Sequence, residues 1–168
     1  MVNIIKAESF ESFSLVETLA YSIWTEHYTP IIGKAQVDYM LAKFQSKSAI
    51  EQQVINGYEY FILYFFTEPV GYVSFKQEDA STLFLSKIYV KSAYRGKKIG
   101  KEAMRFVEAK AKTYNLNKIR LTVNIHNSNA IATYQKLGFK SLGALVADIG
   151  NGYVMDDYEM VKKIKLFN

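Results

Sequence analysis

Cysteine is absent from all 168 residues. That excludes disulfides, thiolate metal sites and a cysteine nucleophile. Histidine occurs only at His27 and His126, too far apart for zinc-type ligand spacing, and no metal is expected. Proline is scarce too, with two in the chain, which fits an ordered globular protein. Long hydrophobic runs are missing. The longest, residues 60–66, is far too short to cross a bilayer. From Lys6 onward the N-terminus alternates charged and apolar residues, which argues against a signal peptide. These absences lead to the expectation of a cytoplasmic protein with no membrane partner.

What is present is apolar and aromatic bulk. Hydrophobic residues make up 49% of the chain, and 13 Tyr and 11 Phe argue against disorder. The length suits one domain with a single sizeable core, spanning 1–168. The net charge of +5 hides an asymmetry. Residues 87–118 carry ten Lys/Arg and two Glu, whereas residues 1–86 carry five Lys and ten Asp/Glu. One reading is a basic phosphate site beside an acidic acceptor side; the other is chance clustering of surface charge. Nucleic-acid binding would need a continuous basic face with aromatic platforms. A single phosphate-rich ligand explains the basic run better, so no nucleic-acid partner is expected.

The patterning predicts helices first. Ser9 caps a helix over 10–24, and residues 25–33, including Pro30, form a loop. A second helix runs over 34–44. Ser48-x-x-Glu51 reads as the capping box of a third, ended by Asn56-Gly57. Strands follow over 58–66 and 70–76, with Glu68-Pro69 as the turn between them, and then over 82–90. A helix over 98–114, a strand around Ile119, Leu121 and Val123, and a helix over 128–137 come next. Two strands, 139–147 and 153–163, flank a turn over 148–152. The order is helices, then β-β-β-α-β-α-β-β. It predicts a mixed α/β (α+β) fold with one central sheet. The parts are N-terminal helices over about 10–56, a core over about 58–140 and a C-terminal strand pair over about 139–163.

Two stretches carry chemistry. In the first, the apolar strand end Ile88-Tyr89-Val90 leads into Arg95-Gly96-Lys97-Lys98-Ile99-Gly100-Lys101, a basic loop opening a helix. The first N–H groups of a helix have no helical partner, and the helix dipole draws anions there. Gly96 and Gly100 let backbone approach a ligand closely. The lysines and Arg95 suit a diphosphate. The second stretch is Asn127-Ser128-Asn129-Ala130-Ile131-Ala132-Thr133-Tyr134-Gln135-Lys136-Leu137-Gly138-Phe139.

Together the two motifs closely resemble the GNAT superfamily of acetyl-CoA-dependent N-acetyltransferases, over roughly residues 58–163. The resemblance implies a mostly antiparallel twisted sheet flanked by helices, with a splayed cofactor-binding strand. It implies that Ile88, Tyr89 and Val90 bond the pantetheine arm and acetyl carbonyl through their main chain. It implies that the loop from Arg95 through Gly96, Lys97, Lys98, Ile99 and Gly100 to Lys101 holds the diphosphate of acetyl-CoA. Asn127 would bond the pantetheine or nearby backbone, Tyr134 would stand near the cofactor sulfur, and Lys136 lies near the cofactor in some relatives. One residue departs from the pattern: Lys98 stands where the family has glycine. A helical backbone there would accommodate it.

The implied reaction is attack of an amine on a thioester. The amine must lose a proton, since an alkyl ammonium has a pKa of ~10.4. The oxyanion needs a donor, for which Ile88 N–H is the candidate. Tyr134 can protonate the leaving thiolate, and direct attack needs no covalent enzyme intermediate. Glu26 and His27, expected in the loop after the first helix, Asp156 and Asp157 in the last strand pair, Glu78 and Asp79 in a turn, and water all remain candidate bases. The acidic N-terminal half favours a cationic acceptor. Residues 28–41 and the aromatic strand before Gly71-Tyr72 look somewhat like bacterial spermidine/spermine acetyltransferases. A polyamine or diamine is therefore one acceptor. A protein N-terminus or lysine, as in ribosomal-protein acetyltransferases, is the alternative, and a non-catalytic acyl-CoA sensor is the reading from another class. The edge of the final hairpin would allow a homodimer.

Overall fold

The elements of the computed structural model, which describes residues 1–166, follow the hydrophobic patterning with a few instructive departures. Strand β1 (Val2–Lys6) precedes helices α1 (Phe10–Ile32), α2 (Lys34–Phe44) and α3 (Lys47–Ile55). Strands β2 (Glu59–Phe65), β3 (Glu68–Gln77) and β4 (Thr82–Val90) come next, then a single 3-10 turn (Ser92–Tyr94) and helix α4 (Ile99–Thr113). Strand β5 (Lys118–Asn124), helix α5 (Ser128–Lys136) and strands β6 (Lys140–Gly150) and β7 (Tyr153–Lys163) complete the chain. The strand order is β1-β2-β3-β4-β5-β7-β6; β1 with β2, β2 with β3, β5 with β7 and β7 with β6 pair antiparallel, and β4 with β5 parallel. Among the described residues no helix is long and apolar enough to cross a membrane.

The chain packs as two compact units. The first comprises residues 1–76 and 87–107. Its core is apolar: Val16, Ala20 and Ile23 of α1, Val37 of α2, Ile50 of α3, Leu63 of β2 and Val107 of α4 are all buried. Phe106 packs edge-on against Phe61 at 4.8 Å between ring centroids. Through this core runs a chain of polar groups. Trp24 Nε1 donates to the Tyr72 hydroxyl at 3.0 Å, and that hydroxyl donates to Gln45 Oε1 at 2.6 Å. Gln45 Nε2 donates to the Tyr60 hydroxyl at 3.1 Å, which donates to Gln53 Oε1 at 2.5 Å. Burial raises the Tyr60 phenol to about 12 and holds Tyr72 well above its ordinary value, so both remain neutral donors.

Strands β3 and β4 meet closely in this unit. A Cβ on Gly71 would lie 2.1 Å from the Tyr89 carbonyl oxygen and 3.1 Å from Val90 Cα. Only glycine permits that approach. Beside it, Lys91 N–H donates to Val70 O at 2.8 Å.

The second unit comprises residues 77–86 and those from Glu108 on. In β5, Ile119, Leu121 and Val123 are buried and their neighbours are not, the period of two that the sequence displays. Arg120, on the opposite face, places its guanidinium between Glu78 (2.6 Å) and Glu159 (3.0 Å), 4.6 Å above the ring of Phe84. Lys162 of β7 pairs with Glu108 of α4.

Several expectations need correction. Helix α1 does not stop at residue 24 but continues through Pro30 to Ile32. Proline inside a helix removes one helical bond and crowds the carbonyl four residues back, at a cost of ~3 kcal/mol in a helix interior, to be set against two buried rings. The buried stripe continues through Trp24 and Tyr28, and burying a large apolar side chain contributes ~1.5–3 kcal/mol. Packing therefore wins over local propensity. The cap of α3 is Ser46, whose hydroxyl accepts from Ala49 N–H at 3.3 Å, not Ser48. Glu17 fixes that start by accepting from Lys47 N–H at 2.8 Å. The turn between β2 and β3 falls at Phe66-Thr67, and Glu68 and Pro69 lie within β3. Pro69, with no N–H to give, pairs with Tyr64 beside a bulge in its own strand, where Val70 is the extra residue between the partners of Leu63 and Tyr64. The last turn shrinks to Asn151-Gly152, both at positive φ (54° and 79°), as a two-residue hairpin requires. Strand β1 was not expected; its only partial burial, at Val2 and Ile4, leaves a weak signal.

Two outcomes follow. Gly71→Ala forces β3 and β4 apart and should cost ~1–3 kcal/mol or more in a denaturant titration; an unchanged midpoint would contradict the close approach. Tyr60 keeps its proton in the folded state beyond the unfolded value near ~10. The stability this contributes is complete below pH ~10 and is lost as pH rises toward 12. Thermal midpoints should fall over that window less steeply in Tyr60→Phe than in the parent, and identical slopes would count against the burial of this phenol.

Candidate active site

The loop before α4 is built by two left-handed residues. Gly96 has φ +79° and Lys98 φ +64°. The helical backbone expected at Lys98 is therefore corrected: lysine adopts the conformation that glycine enters without strain. For a residue with a Cβ that conformation costs ~1–2 kcal/mol. The gain is geometric. Left-handed residues within a turn aim successive N–H groups into one concave surface, which suits an anion. The first bond of α4 runs from Glu102 N–H to Lys98 O at 3.1 Å. The N–H groups of Ile99, Gly100 and Lys101 are thus the helix's unshared first donors, at its positive end. Ile99 is 1% exposed and pins the helix start to the core of the first unit. A Cβ at Gly96 or Gly100 would meet no protein atom within 4 Å, so the space beside both is open to a ligand. Arg95, Lys97, Lys98 and Lys101 are exposed around it. Lys97 lies 5.7 Å over the Phe65 ring, and Tyr94 packs edge-on to Phe65 at 6.0 Å, tying the loop to β2.

Upstream, Ile88, Tyr89 and Val90 form the half-buried end of β4. The parallel ladder of β4 with β5 covers Thr82, Leu83 and Phe84, opposite Lys118, Ile119 and Arg120. The ring of Tyr89 lies 5.1 Å from Tyr72 and 5.5 Å from Trp24. A cavity of about 140 Å³ opens beside the loop, lined by Ser22, Ile23 and Glu26 of α1 and by Lys91, Ser92, Ala93 and Arg95. It sets one carboxylate near two cations. Sequence reasoning missed Ser22 and Ile23; the signal was the i, i+4 spacing of Ser22 and Glu26 on one helix face.

The remaining candidates lie in the second unit. Asn127 caps α5, its side chain accepting from Ala130 N–H at 3.4 Å. Tyr134 is 7% exposed, with its ring edge-on to Phe139 at 5.5 Å. Lys136 ends α5 and is exposed. Asp157 is buried in β7 and Asp156 half-buried on the other face.

Four base candidates change character. Glu26 and His27 stand on α1 rather than in a loop, and the His27 ring packs against Tyr28 at 4.8 Å. Glu78 is committed to Arg120. Asp79 accepts from Ser81 and Thr82 N–H at 2.9 and 2.8 Å, and these bonds hold it below its ordinary carboxylate value. Glu78 and Asp79 therefore serve the turn. Among the described residues no group of three or more His, Asp or Glu side chains is placed to hold a metal.

A family model described as "Acetyltransferase (GNAT) family" matches residues 20–139. Among solved structures, the fold is similar to that of the PaiA N-acetyltransferase of Thermoplasma acidophilum in complex with coenzyme A. The TM-score is 0.80 at 22% identity, covering 97% of this chain and 99% of that one. It is similar to a GNAT-family acetyltransferase of Staphylococcus aureus Mu50, with TM-score 0.74 at 19% identity over 98% and 100% of the two chains. It is also similar to the ribosomal-protein-S18-alanine N-acetyltransferase of Escherichia coli, with TM-score 0.70 at 17% identity over 100% and 97%. At these identities the likeness is one of fold.

Because the space at Gly100 is empty of protein, Gly100→Glu should fold with an unchanged melting temperature. It should still bind coenzyme A at least tenfold more weakly by calorimetry, through added bulk and negative charge. Unchanged affinity would displace the loop from the proposed phosphate site.

Proposed function

The chain belongs to the GNAT family of acetyltransferases, which take their acetyl group from acetyl-CoA, and on that premise we propose how it uses the donor and which amine receives it. The whole chain serves as one catalytic domain in the cytoplasm. The diphosphate is held by the loop from Arg95 to Lys101, and the observation that carries this assignment is the pair of left-handed residues, Gly96 and Lys98, opening α4. Acetyl-CoA supplies the activated thioester. Main-chain groups of Ile88, Tyr89 and Val90 align its arm along the end of β4, and Ile88 N–H donates to the oxygen on which negative charge develops. Asn127 and Lys136 add contacts to the donor. Tyr134 gives its phenolic proton to the departing thiolate; a phenol near ~10 is a competent donor to a thiol near ~8.5. The amine, its ammonium proton first passed to water or a nearby carboxylate, attacks the thioester carbonyl directly, since no cysteine is present to carry the acetyl group. The C–N bond forms, the C–S bond breaks, and the proton shed by the new amide nitrogen restores the Tyr134 phenol.

The acceptor is a cationic primary amine, a polyamine or diamine. Two observations support this class. Glu26 lines the cavity beside Lys91 and Arg95, and once the donor's diphosphate occupies those two cations its carboxylate is left to hold an ammonium. Residues 1–86 also carry twice as many acidic as basic side chains, ten to five. A second reading, acetylation of a protein N-terminus, is favoured by the fold similarity to the Escherichia coli ribosomal-protein-S18-alanine N-acetyltransferase.

Thiol release from acetyl-CoA should be followed with polyamines, diamines, amino acids, amino sugars and N-terminal peptides. Turnover with spermidine or a diamine supports the polyamine reading; turnover only with peptides replaces it by the second. In the active pair, Tyr134→Phe should lower kcat ~100-fold while leaving acetyl-CoA affinity within twofold. An unchanged rate would remove Tyr134 from the chemistry.

A further inference from the structure

The buried polar chain through the first unit has more order than stability requires. Its polarity has one solution. An indole N–H can only donate, so Trp24 makes the Tyr72 oxygen an acceptor and turns its proton toward Gln45. Gln45 must then present its amide NH2 to the Tyr60 hydroxyl and to Phe44 O at 2.6 Å. Tyr60 is thereby made the donor to Gln53, whose NH2 ends the chain on the same Phe44 carbonyl at 2.7 Å. Such a chain strengthens itself by polarisation, and every member after Trp24, which has one N–H to give, is held by two partners or more. An apolar core of equal volume would be as stable. What the polar chain adds is a fixed geometry, joining α1, α2, α3, β2 and β3.

We infer that this chain positions the acetyl-holding end of β4, acting through Tyr89. The inference rests on the proposed use of Ile88–Val90 by the donor. The first two members of the chain, Trp24 and Tyr72, are the two rings that flank Tyr89, at 5.5 and 5.1 Å. Gly71, next to Tyr72, is the residue whose missing Cβ makes room for the Tyr89 carbonyl. Consecutive residues of β3 thus hold Tyr89 from its backbone and from its ring. Ile88 N–H, one residue away, inherits that placement. Oxyanion donors lose their effect with small displacements, whereas the diphosphate loop holds the cofactor independently. Trp24 and Tyr72 are therefore positioning residues for the transferring step rather than binding residues for the donor.

Tyr72→Phe keeps the ring against Tyr89 and removes only the hydroxyl; Gln45→Met cuts the chain one link further away and leaves every ring in place. Trp24 is the sole tryptophan, so its emission reports on this one place. In the 168-residue chain, kcat with the best amine should fall ~10-fold in either variant, with the calorimetric Kd for coenzyme A within twofold of the parent. The change in Trp24 emission at saturating acetyl-CoA should shrink to less than half. If Tyr72→Phe does not fold, Gln45→Met is read by the same three measurements. A folded variant with kcat within twofold of the parent overturns the inference. So does a Kd weakened by the same factor as kcat, or an unaltered emission response. Parent enzyme that releases no thiol with any amine fails the acetyl-transfer reading instead, and the emission response then decides the inference alone.

Discussion

The place where Gly71 passes the Tyr89 carbonyl fixes much else in the first unit. Two backbones approach there more closely than any side chain on β3 would allow. Hydrogen bonding between β3 and β4 continues to Lys91, after which the chain leaves the sheet through a 3-10 turn. The loop that follows must start from that point and reach the N-terminus of α4 within four residues, Arg95–Lys98. A path so short over a sharp change of direction uses left-handed backbone, found at Gly96 and Lys98. The absence of one side chain in β3 and the concave run of N–H groups before α4 are thus parts of one geometric solution.

Charge is distributed in keeping with that solution. The cations of the loop are exposed around its N–H groups, where they reinforce the field of the helix end. Acidic groups elsewhere are occupied differently. Glu78 and Glu159 neutralise Arg120, Asp79 closes a turn, and Glu17 accepts from the first N–H of α3. Glu26 has no such structural task among the described contacts and lines the cavity beside Lys91 and Arg95. The carboxylates that stabilise the fold and the one that faces the candidate acceptor cavity are therefore separable by what they touch.

Much of this was readable from the residues. The period of two in Ile119, Leu121 and Val123 and the 3.6 period after Ile99 located β5 and α4 because burial on one face dictated both. The Gly-containing basic loop suggested a phosphate site only in combination with the second motif, residues 127–139. Two of the misreadings share one physical origin, a local signal outweighed by a tertiary contact. Pro30 looked like a terminator, yet Tyr28 continued the buried stripe past residue 24. Ser48 looked like a cap, yet Glu17, distant in sequence, helped settle the start at Ser46. Trp24, Tyr72 and Gln45 were invisible as a set, because nothing in a linear sequence says which of 13 tyrosines will share a hydrogen bond with the one tryptophan.

The lysine at position 98 carries a last consequence. Glycine at a left-handed position samples many conformations before a ligand arrives, and each must be given up on binding. Lysine has fewer to give up. With Lys98 already at φ +64°, the loop's entropy loss falls at folding rather than at binding. The diphosphate contact proposed for this loop should therefore carry a smaller unfavourable entropy than glycine at this position would give, the thermodynamic mark of a preorganised receptor.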